Sequence, residues 1–190
     1  MSKTVTSRAA LLIIDMISAF DFPEAQMLAP SVRSAARQIH RLREAFHQRG
    51  LPVIYANDNF ANWKSDFREL VAMAEASCAL GAMVVDQLRP GADDYFVLKP
   101  KHSAFLATAM PLLLAKLGVD TVYLSGMTAD SCVLATAADA NAREYRVRVV
   151  REAVAGTTKG KSSGLTAIQA SKIGVVVSVA SVVKELGMGP

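Results

Sequence analysis

The chain has few cysteines, few histidines and no long apolar run. Its 190 residues include only 2 cysteines and 3 histidines. Two cysteines are too few for a disulfide framework, which indicates a reducing compartment such as the cytoplasm. The longest apolar runs, such as residues 9–14, fall far short of the roughly 20 residues that a membrane span needs. Asp15 interrupts the first run, which therefore lacks the form of a secretory signal. We expect a cytoplasmic chain with no membrane partner.

The excess of positive over negative residues is also small. Lys and Arg together number 21 against 17 for Asp and Glu, which leaves a net charge of +4. A nucleic-acid surface normally has denser basic clusters with aromatic residues between them. Arg33, Arg37 and Arg41 recur every four residues, a spacing typical of the exposed face of a helix. We therefore expect no nucleic-acid partner and a small molecule as substrate.

Short apolar runs alternate with segments of helical periodicity along the whole chain. The runs predict strands at residues 10–15, 52–56, 95–98, 121–124, 147–150 and 175–177. Helices are predicted between them, the first at residues 31–50, while residues 81–91 remain ambiguous between strand and helix. This alternation predicts a three-layer α/β/α, Rossmann-like domain with about six parallel strands and helices on both faces. Residues 1–190 are predicted to form one such domain, since nothing in them reads as a linker.

Three reactive side chains follow predicted strands. Asp15 ends the first strand, Lys99 ends the third, and Cys132 comes just after the fourth, where a helix begins. Sites in open parallel sheets form beyond the carboxyl ends of the strands. A helix N-terminus and a nearby lysine favour the thiolate, so we expect a lowered pKa for the Cys132 thiol. Any one of these residues could be an ordinary turn, surface or core residue, but their common edge predicts a catalytic site. Cys78 is assigned to the core.

The segments that carry these residues resemble the isochorismatase-like cysteine hydrolase superfamily, which includes nicotinamidases, N-carbamoylsarcosine amidases and isochorismatases. The matching segments are LLIIDMISAF, KPKHSAF and SGMTADSCVLATAADA. The resemblance implies the catalytic triad Asp15, Lys99 and Cys132. It selects Lys99 over Lys101, because the family's lysine lies four residues before the serine of the SAF element. His102 stands where relatives often have tyrosine. The resemblance also implies a homo-oligomer, either a dimer or a tetramer.

Further details of the site are implied by the same resemblance. A cis peptide is expected between Met127 and Thr128, with an oxyanion hole formed by the backbone amides of Thr128 and Cys132. The pocket is expected to include Phe20, Asn57, Asn59, Trp63, Phe105 and Met127. The alternatives are a place in the core for Phe20 and a structural loop for Asn57, Asn59 and Trp63. The loop after the second strand has no histidine, although nicotinamidases carry a metal site there. We therefore expect no metal and no cofactor.

The function predicted is hydrolysis of a small-molecule amide or other C–N bond through a covalent thioester on Cys132. One alternative is the vinyl ether cleavage of isochorismatases, in which Asp15 acts without covalent catalysis. Another is a non-catalytic binding or scaffolding protein on the same fold. Residues 155–162 resemble a phosphate-binding loop, but they begin with Ala155 where that motif requires glycine. We expect a flexible loop at residues 157–164 instead.

Overall fold

The computed structural model describes residues 8–60 and 63–187. Its strands are β1 (Ala9–Ile14), β2 (Val53–Asp58), β3 (Tyr95–Lys99), β4 (Thr121–Met127), β5 (Arg146–Ala155) and β6 (Val175–Val177). Its helices are α1 (Ala25–Gln48), α2 (Phe67–Ser77), α3 (Ala79–Leu88), α4 (Met110–Leu117), α5 (Cys132–Ala142), α6 (Thr158–Ala170) and α7 (Val179–Glu185). The strands form one sheet in the order β3-β2-β1-β4-β5-β6. Every neighbouring pair is parallel.

Helices cover both faces of this sheet. Every residue of β1 and of β4 is buried, which explains why these strands read as continuous apolar runs. Alternate residues of β1 pack on opposite sides: Leu11 and Ile13 join a core with α1, α2, α3 and α7. Leu12 and Ile14 join a second core with α4, α5 and α6. The predicted three-layer α/β/α architecture with six parallel strands is confirmed. No helix within the two described ranges is long and apolar enough to cross a membrane.

A glycine permits the close approach of the two central strands. Gly126 of β4 pairs with Ile14 of β1 and has a φ of +108°. A Cβ at this position would collide with the backbone oxygen and nitrogen of Ile14. Glycine is the residue that combines this conformation with this proximity. The contact lies directly below Asp15, so it helps to define the edge where the candidate site forms.

The first helix begins six residues earlier than its predicted start. The predicted start was residue 31, yet α1 begins at Ala25 and contains Pro30. The proline removes one backbone hydrogen bond from the helix. Ala25 and Leu28 are buried in the core at this end. Burial of these two side chains stabilises the additional helical residues in spite of the proline.

Residues 158–164 belong to α6, so the prediction of a flexible loop at residues 157–164 is wrong. Thr157 caps α6, with its side-chain oxygen accepting a hydrogen bond from the Gly160 amide at 3.0 Å. A Cβ at Gly160 would collide with the Asp130 carboxylate, and one at Gly164 with the Ala129 carbonyl. These glycines allow α6 to pack tightly against the turn that precedes α5.

The ambiguous segment at residues 81–91 is also largely helical, and it changes the position of Cys78. This cysteine lies at the junction of α2 and α3 and is exposed, so its assignment to the core is wrong. Its Sγ accepts a hydrogen bond from the Gly81 amide at 3.4 Å, as an N-cap does. The thiol therefore lies on the surface, because the chain turns sharply between the two helices.

Candidate active site

Three polar side chains extend from the carboxyl edge of the sheet. Asp15 follows β1, Asp58 ends β2 and Lys99 ends β3. Register pairs Asp58 with Lys99, and Ile14 with Ala56 on the neighbouring strand. The residues therefore lie at one level, with Lys99 reaching past β2 towards Asp15. The parallel arrangement is what brings these distant parts of the chain together.

An ion pair joins the acid to the amine. Lys99 Nζ lies 2.8 Å from Asp15 Oδ2, and the two side chains are only 2% and 14% exposed. Asp15 Oδ1 accepts a hydrogen bond from the Asp58 amide at 2.8 Å. Both carboxylate oxygens are therefore held. The Asp15 backbone has a φ of +52°, which turns the chain away from the sheet just beyond β1.

Cys132 completes the cluster from the other central strand. It is the first residue of α5 and directly follows the four-residue turn that leaves β4. Lys99 Nζ donates to Cys132 Sγ at 3.6 Å and to the Lys101 carbonyl at 3.2 Å. Lys99 thus contacts both the acid and the thiol. The structure brings together the three residues predicted to form the triad.

The thiol is protonated in this arrangement. Burial, with the Asp15 carboxylate adding to it, raises the pKa of the Cys132 thiol to about 12, although Lys99 acts in the opposite direction. The expectation of a lowered thiol pKa is therefore wrong for the resting site. The pKa of the thiol is raised because desolvation and a neighbouring negative charge both disfavour a thiolate. Together these two effects exceed the effect of one ammonium group.

The two partners of the thiol have raised pKa values as well. Burial raises the pKa of the Asp15 carboxyl above its ordinary value, and the ion pair with Lys99 offsets only part of this. Burial opposes the charge of Lys99, yet the Asp15 carboxylate holds the pKa of the ammonium above its ordinary value. Lys99 is thus a permanent cation. A carboxyl with a raised pKa is a stronger base than an exposed one, which suits it to accept a proton.

The turn between β4 and α5 has the geometry of an oxyanion site. The Met127–Thr128 peptide is cis, as the family resemblance implied. The Thr128 carbonyl accepts hydrogen bonds from the amides of Ser131 and Val133, both at 3.1 Å. Within residues 8–60 and 63–187, the amides of Thr128 and Cys132 donate to no other backbone group. These amides could therefore donate to a ligand oxygen, the second because a first-turn amide has no partner inside its helix.

A cavity of about 460 Å³ opens above the cluster. Its wall includes the triad together with Asn57, Met127 and Thr128. Other groups in the wall are Ile17, Ser18, Asp21, Phe22, Asp58, Phe60, Pro100, Lys101 and His102. The volume lies in the range of pockets that bind small organic molecules.

Four of the predicted pocket residues lie outside this wall. Phe20 is buried in the core with α1, which is the alternative left open for it. Phe105 packs in the opposite core, 5.8 Å from the Tyr145 ring. Trp63 is 60% exposed, and its amide donates at 3.1 Å to Oδ1 of Asn59, the fourth of these residues, which is buried. The apolar character of the three aromatic residues did not distinguish a pocket wall from a core or a surface turn. Residues 61–62 of the same loop lie outside the described residues.

Asn57 has a structural contact in addition to its place in the wall. It is 1% exposed, its Nδ2 donates to the Ile17 carbonyl, and the Ile17 amide donates to its Oδ1 at 3.4 Å. This pair of bonds fixes the loop after β1 to the end of β2. The loop carries Asp15, so Asn57 also helps to hold the acid in position.

The polar residues of the site that were not predicted include Asp58, His102 and Ser131. Asp58 lies at the carboxyl end of β2, a position that the same strand-end reasoning would have found. His102 Nδ1 lies 3.2 Å from Ser131 Oγ and 3.8 Å from Cys132 Sγ. The signal for His102 was its place three residues after Lys99. Nothing in the sequence indicated Ser131, because its contact depends on the turn before α5.

Groups suited to binding a metal ion do not assemble at this edge. Across the parts of the chain that the structure describes, no cluster of three or more His, Cys, Asp or Glu side chains has a metal-binding arrangement. His40 Nδ1 contacts the Gln87 carbonyl at 2.9 Å, and His47 Nε2 contacts Asp94 at 2.6 Å. These two histidines therefore lie away from the cavity, on α1.

The fold and sequence both match known hydrolases. A family model described as the Isochorismatase domain matches residues 9–181. The isochorismatase family protein YaaI of Bacillus subtilis (strain 168) is 35% identical over 149 residues, covering 78% of this chain and 81% of YaaI. Maleamate amidohydrolase of Pseudomonas putida is 32% identical over 155 residues, covering 77% of this chain and 72% of that protein. The structure of N-carbamoylsarcosine amidase from Thermoplasma acidophilum matches with a TM-score of 0.68 at 30% identity, covering 90% of this chain and 96% of that one.

These matches define the class as hydrolases with a parallel α/β fold. The chain belongs to the isochorismatase family, which includes amidases.

Proposed function

We propose that this protein hydrolyses the C–N bond of a small amide or carbamoyl compound through a thioester on Cys132. The observation that carries the proposal is the position of Lys99 Nζ, 2.8 Å from Asp15 Oδ2 and 3.6 Å from Cys132 Sγ, at a cavity of about 460 Å³. The amidases among the relatives support a C–N bond as the target.

Asp15 acts as the base in the first step. Its carboxylate takes the proton of the Cys132 thiol, which converts a buried negative charge on oxygen into one on sulfur. Lys99 remains positive and stabilises the thiolate as it forms. The pKa of the thiol is raised, so it does not lose its proton to water, and the pKa of the Asp15 carboxyl is raised, so it is a better base. The thiolate therefore forms by transfer of the proton to Asp15.

The thiolate then attacks the substrate carbonyl carbon. Negative charge develops on the carbonyl oxygen, and the amides of Thr128 and Cys132 donate hydrogen bonds to it. One such donor contributes roughly 10²–10³-fold to the rate in well-characterised hydrolases. Asp15 returns its proton to the leaving nitrogen, the C–N bond breaks, and an acyl thioester remains on Cys132. Water then releases the acid product and restores the thiol.

Vinyl ether cleavage is the second candidate, and one observation favours it. Burial raises the pKa of Asp15, and a carboxyl that keeps its proton can donate it to a carbon–carbon double bond. That chemistry requires protonated Asp15 and no thiolate. The two candidates therefore need opposite protonation states of one residue.

A substrate panel separates these candidates. Maleamate and N-carbamoylsarcosine, taken from the names of the relatives, test C–N hydrolysis by release of ammonia, and isochorismate tests vinyl ether cleavage. We expect ammonia from an amide or carbamoyl compound, and its loss in Cys132→Ala. Turnover of isochorismate that survives Cys132→Ala would favour the second candidate. Turnover of no compound in a broader amide and ether panel would support a binding protein instead.

The assembly and location of the enzyme are also proposals. We expect a homo-oligomer, a dimer or a tetramer, acting in the cytoplasm on a small molecule without metal or cofactor. Light scattering coupled to size-exclusion chromatography measures the first of these directly. A monomer at micromolar concentration would contradict it.

A further inference from the structure

His102 occupies the open side of the candidate site. Its ring is exposed and forms part of the cavity wall, whereas Lys99 is almost fully buried. Its Nδ1 lies 3.8 Å from Cys132 Sγ and 3.2 Å from Ser131 Oγ. A second proton-exchanging group therefore contacts the sulfur, in addition to Asp15. Histidine is the side chain best suited to exchange protons near neutral pH.

The second half of the reaction needs a base at this location. After the amine leaves, water must reach the thioester carbon and lose a proton as it attacks. The side chain of Asp15 is 14% exposed and lies beside Lys99 at the base of the cavity. The His102 ring contacts the sulfur from the exposed side of the cavity, where water can enter.

We propose that His102 is a catalytic residue of the deacylation step, dividing the proton transfers of the reaction with Asp15. The inference rests on the proposed function, since it requires a thioester on Cys132. His102 takes a proton from water as the water oxygen bonds to the thioester carbon. The tetrahedral intermediate collapses, the C–S bond breaks, and the electron pair goes to sulfur. The imidazolium then returns its proton to Sγ, which restores the thiol and neutral His102 and releases the acid.

The ring is held with one nitrogen towards the sulfur. Ser131 Oγ lies 3.2 Å from His102 Nδ1, the atom that lies 3.8 Å from Cys132 Sγ. A proton on that nitrogen therefore has a short path to the sulfur.

The lifetime of an acetyl thioester tests this role. The protein in a Cys78→Ser background is treated briefly with 4-nitrophenyl acetate, excess reagent is removed, and the acetyl group on Cys132 is followed by intact mass. We expect His102→Gln to acquire the acetyl group as fast as the parent but to lose it on the order of 10–100-fold more slowly. His40→Gln, which changes a histidine far from the cavity, serves as the matched control and should lose the group at the parental rate.

Chemical rescue distinguishes catalysis from a structural role. In His102→Gly, added imidazole should shorten the lifetime of the acetyl group several-fold, while the parent responds weakly. Equal lifetimes in the parent and in His102→Gln would overturn the assignment of His102 and leave the thioester mechanism intact. No Cys132-dependent acetylation of the parent would overturn the proposed covalent chemistry, and this inference with it.

Discussion

The two cysteines both lie at helix N-termini, yet their surroundings are opposite. Cys78 caps α3 at the surface, where the bond from the Gly81 amide lowers the pKa of its thiol. Cys132 begins α5 inside the site, where burial and Asp15 raise its thiol pKa to about 12. The thiol with the lower pKa is therefore that of Cys78, which lies outside the cavity that contains Asp15 and Lys99. The proposed nucleophile is therefore not the thiol with the lower pKa.

A base held beside the thiol explains how the less acidic cysteine could still react. Asp15 can take the proton at the moment of attack, so the thiolate need not exist beforehand. Cys132 is only partly exposed, in the wall of the cavity, whereas Cys78 is exposed on the surface.

Replacing each cysteine in turn by serine should give the largest difference in activity between the two positions. Cys132→Ser should lower kcat/KM for the C–N substrate by roughly 10³-fold or more, because the nucleophile is lost. Cys78→Ser should leave it unchanged within about twofold, since this thiol lies outside the cavity. Initial rates of ammonia release measure both. Comparable losses in the two variants would remove the basis for the contrast.

Asp15→Asn should slow both hydrolysis and the alkylation of Cys132. Hydrolysis should fall by about 10²–10⁴-fold because the base is lost. Iodoacetamide should also react more slowly with Cys132, since the carboxylate that takes the thiol proton during attack is gone. In the parent protein, Cys78 should be the faster of the two thiols. Peptide mass spectrometry after timed labelling gives each rate, and labelling of Cys132 in Asp15→Asn at the parental rate or faster would contradict the assigned role of Asp15.

How far the site could be predicted depended on the type of information required. Asp15, Lys99 and Cys132 were found because strand ends in a parallel sheet share one edge, a property of the backbone pattern. The raised pKa of Cys132 was missed because it depends on burial, which placement at a helix N-terminus does not reveal. Phe105 was misplaced because an aromatic ring near a site can face either the cavity or the core.

The predicted helix boundaries were wrong where tertiary packing outweighed the local conformational preferences of the residues. Pro30 and the glycines of residues 157–164 are ordinary signals of a loop. In the structure Pro30 lies within α1, while Gly160 and Gly164 let α6 approach Asp130 and Ala129. The exposure of Cys78 was missed for a related reason, because residues 67–88 form two helices with a turn between them. These outcomes require knowledge of which segments touch.

The pH dependence of kcat/KM should follow the protonation of Asp15. Burial raises the pKa of this carboxyl above its ordinary value of 3.8, so activity should fall as the pH decreases through that raised pKa. The raised pKa values of Lys99 and Cys132 predict no loss from either group in the neutral range, with Cys132 at about 12. A rate profile from acid to alkaline pH measures this. Activity that instead rises towards acid pH would favour the vinyl ether mechanism.

The smallest expected effect concerns the cap role of Cys78. Cys78→Ala removes the sulfur that accepts from the Gly81 amide and should lower the free energy of unfolding by about 0.5–1 kcal/mol. Cys78→Ser keeps an acceptor at the N-cap and should retain the parental value. Urea unfolding of the three proteins measures the difference. Equal stability of all three would mean that the sulfur contact contributes nothing measurable.

The central claim is that the Cys132 thiol, and not the exposed Cys78 thiol, carries the acyl group. Acid quenching of the wild-type enzyme during turnover of its C–N substrate, followed by peptide mass spectrometry, tests it most directly. We predict a substrate-derived acyl adduct on the peptide that contains Cys132 and none on the peptide that contains Cys78. Continued hydrolysis with no adduct on Cys132, at quench times shorter than one turnover, would contradict the account.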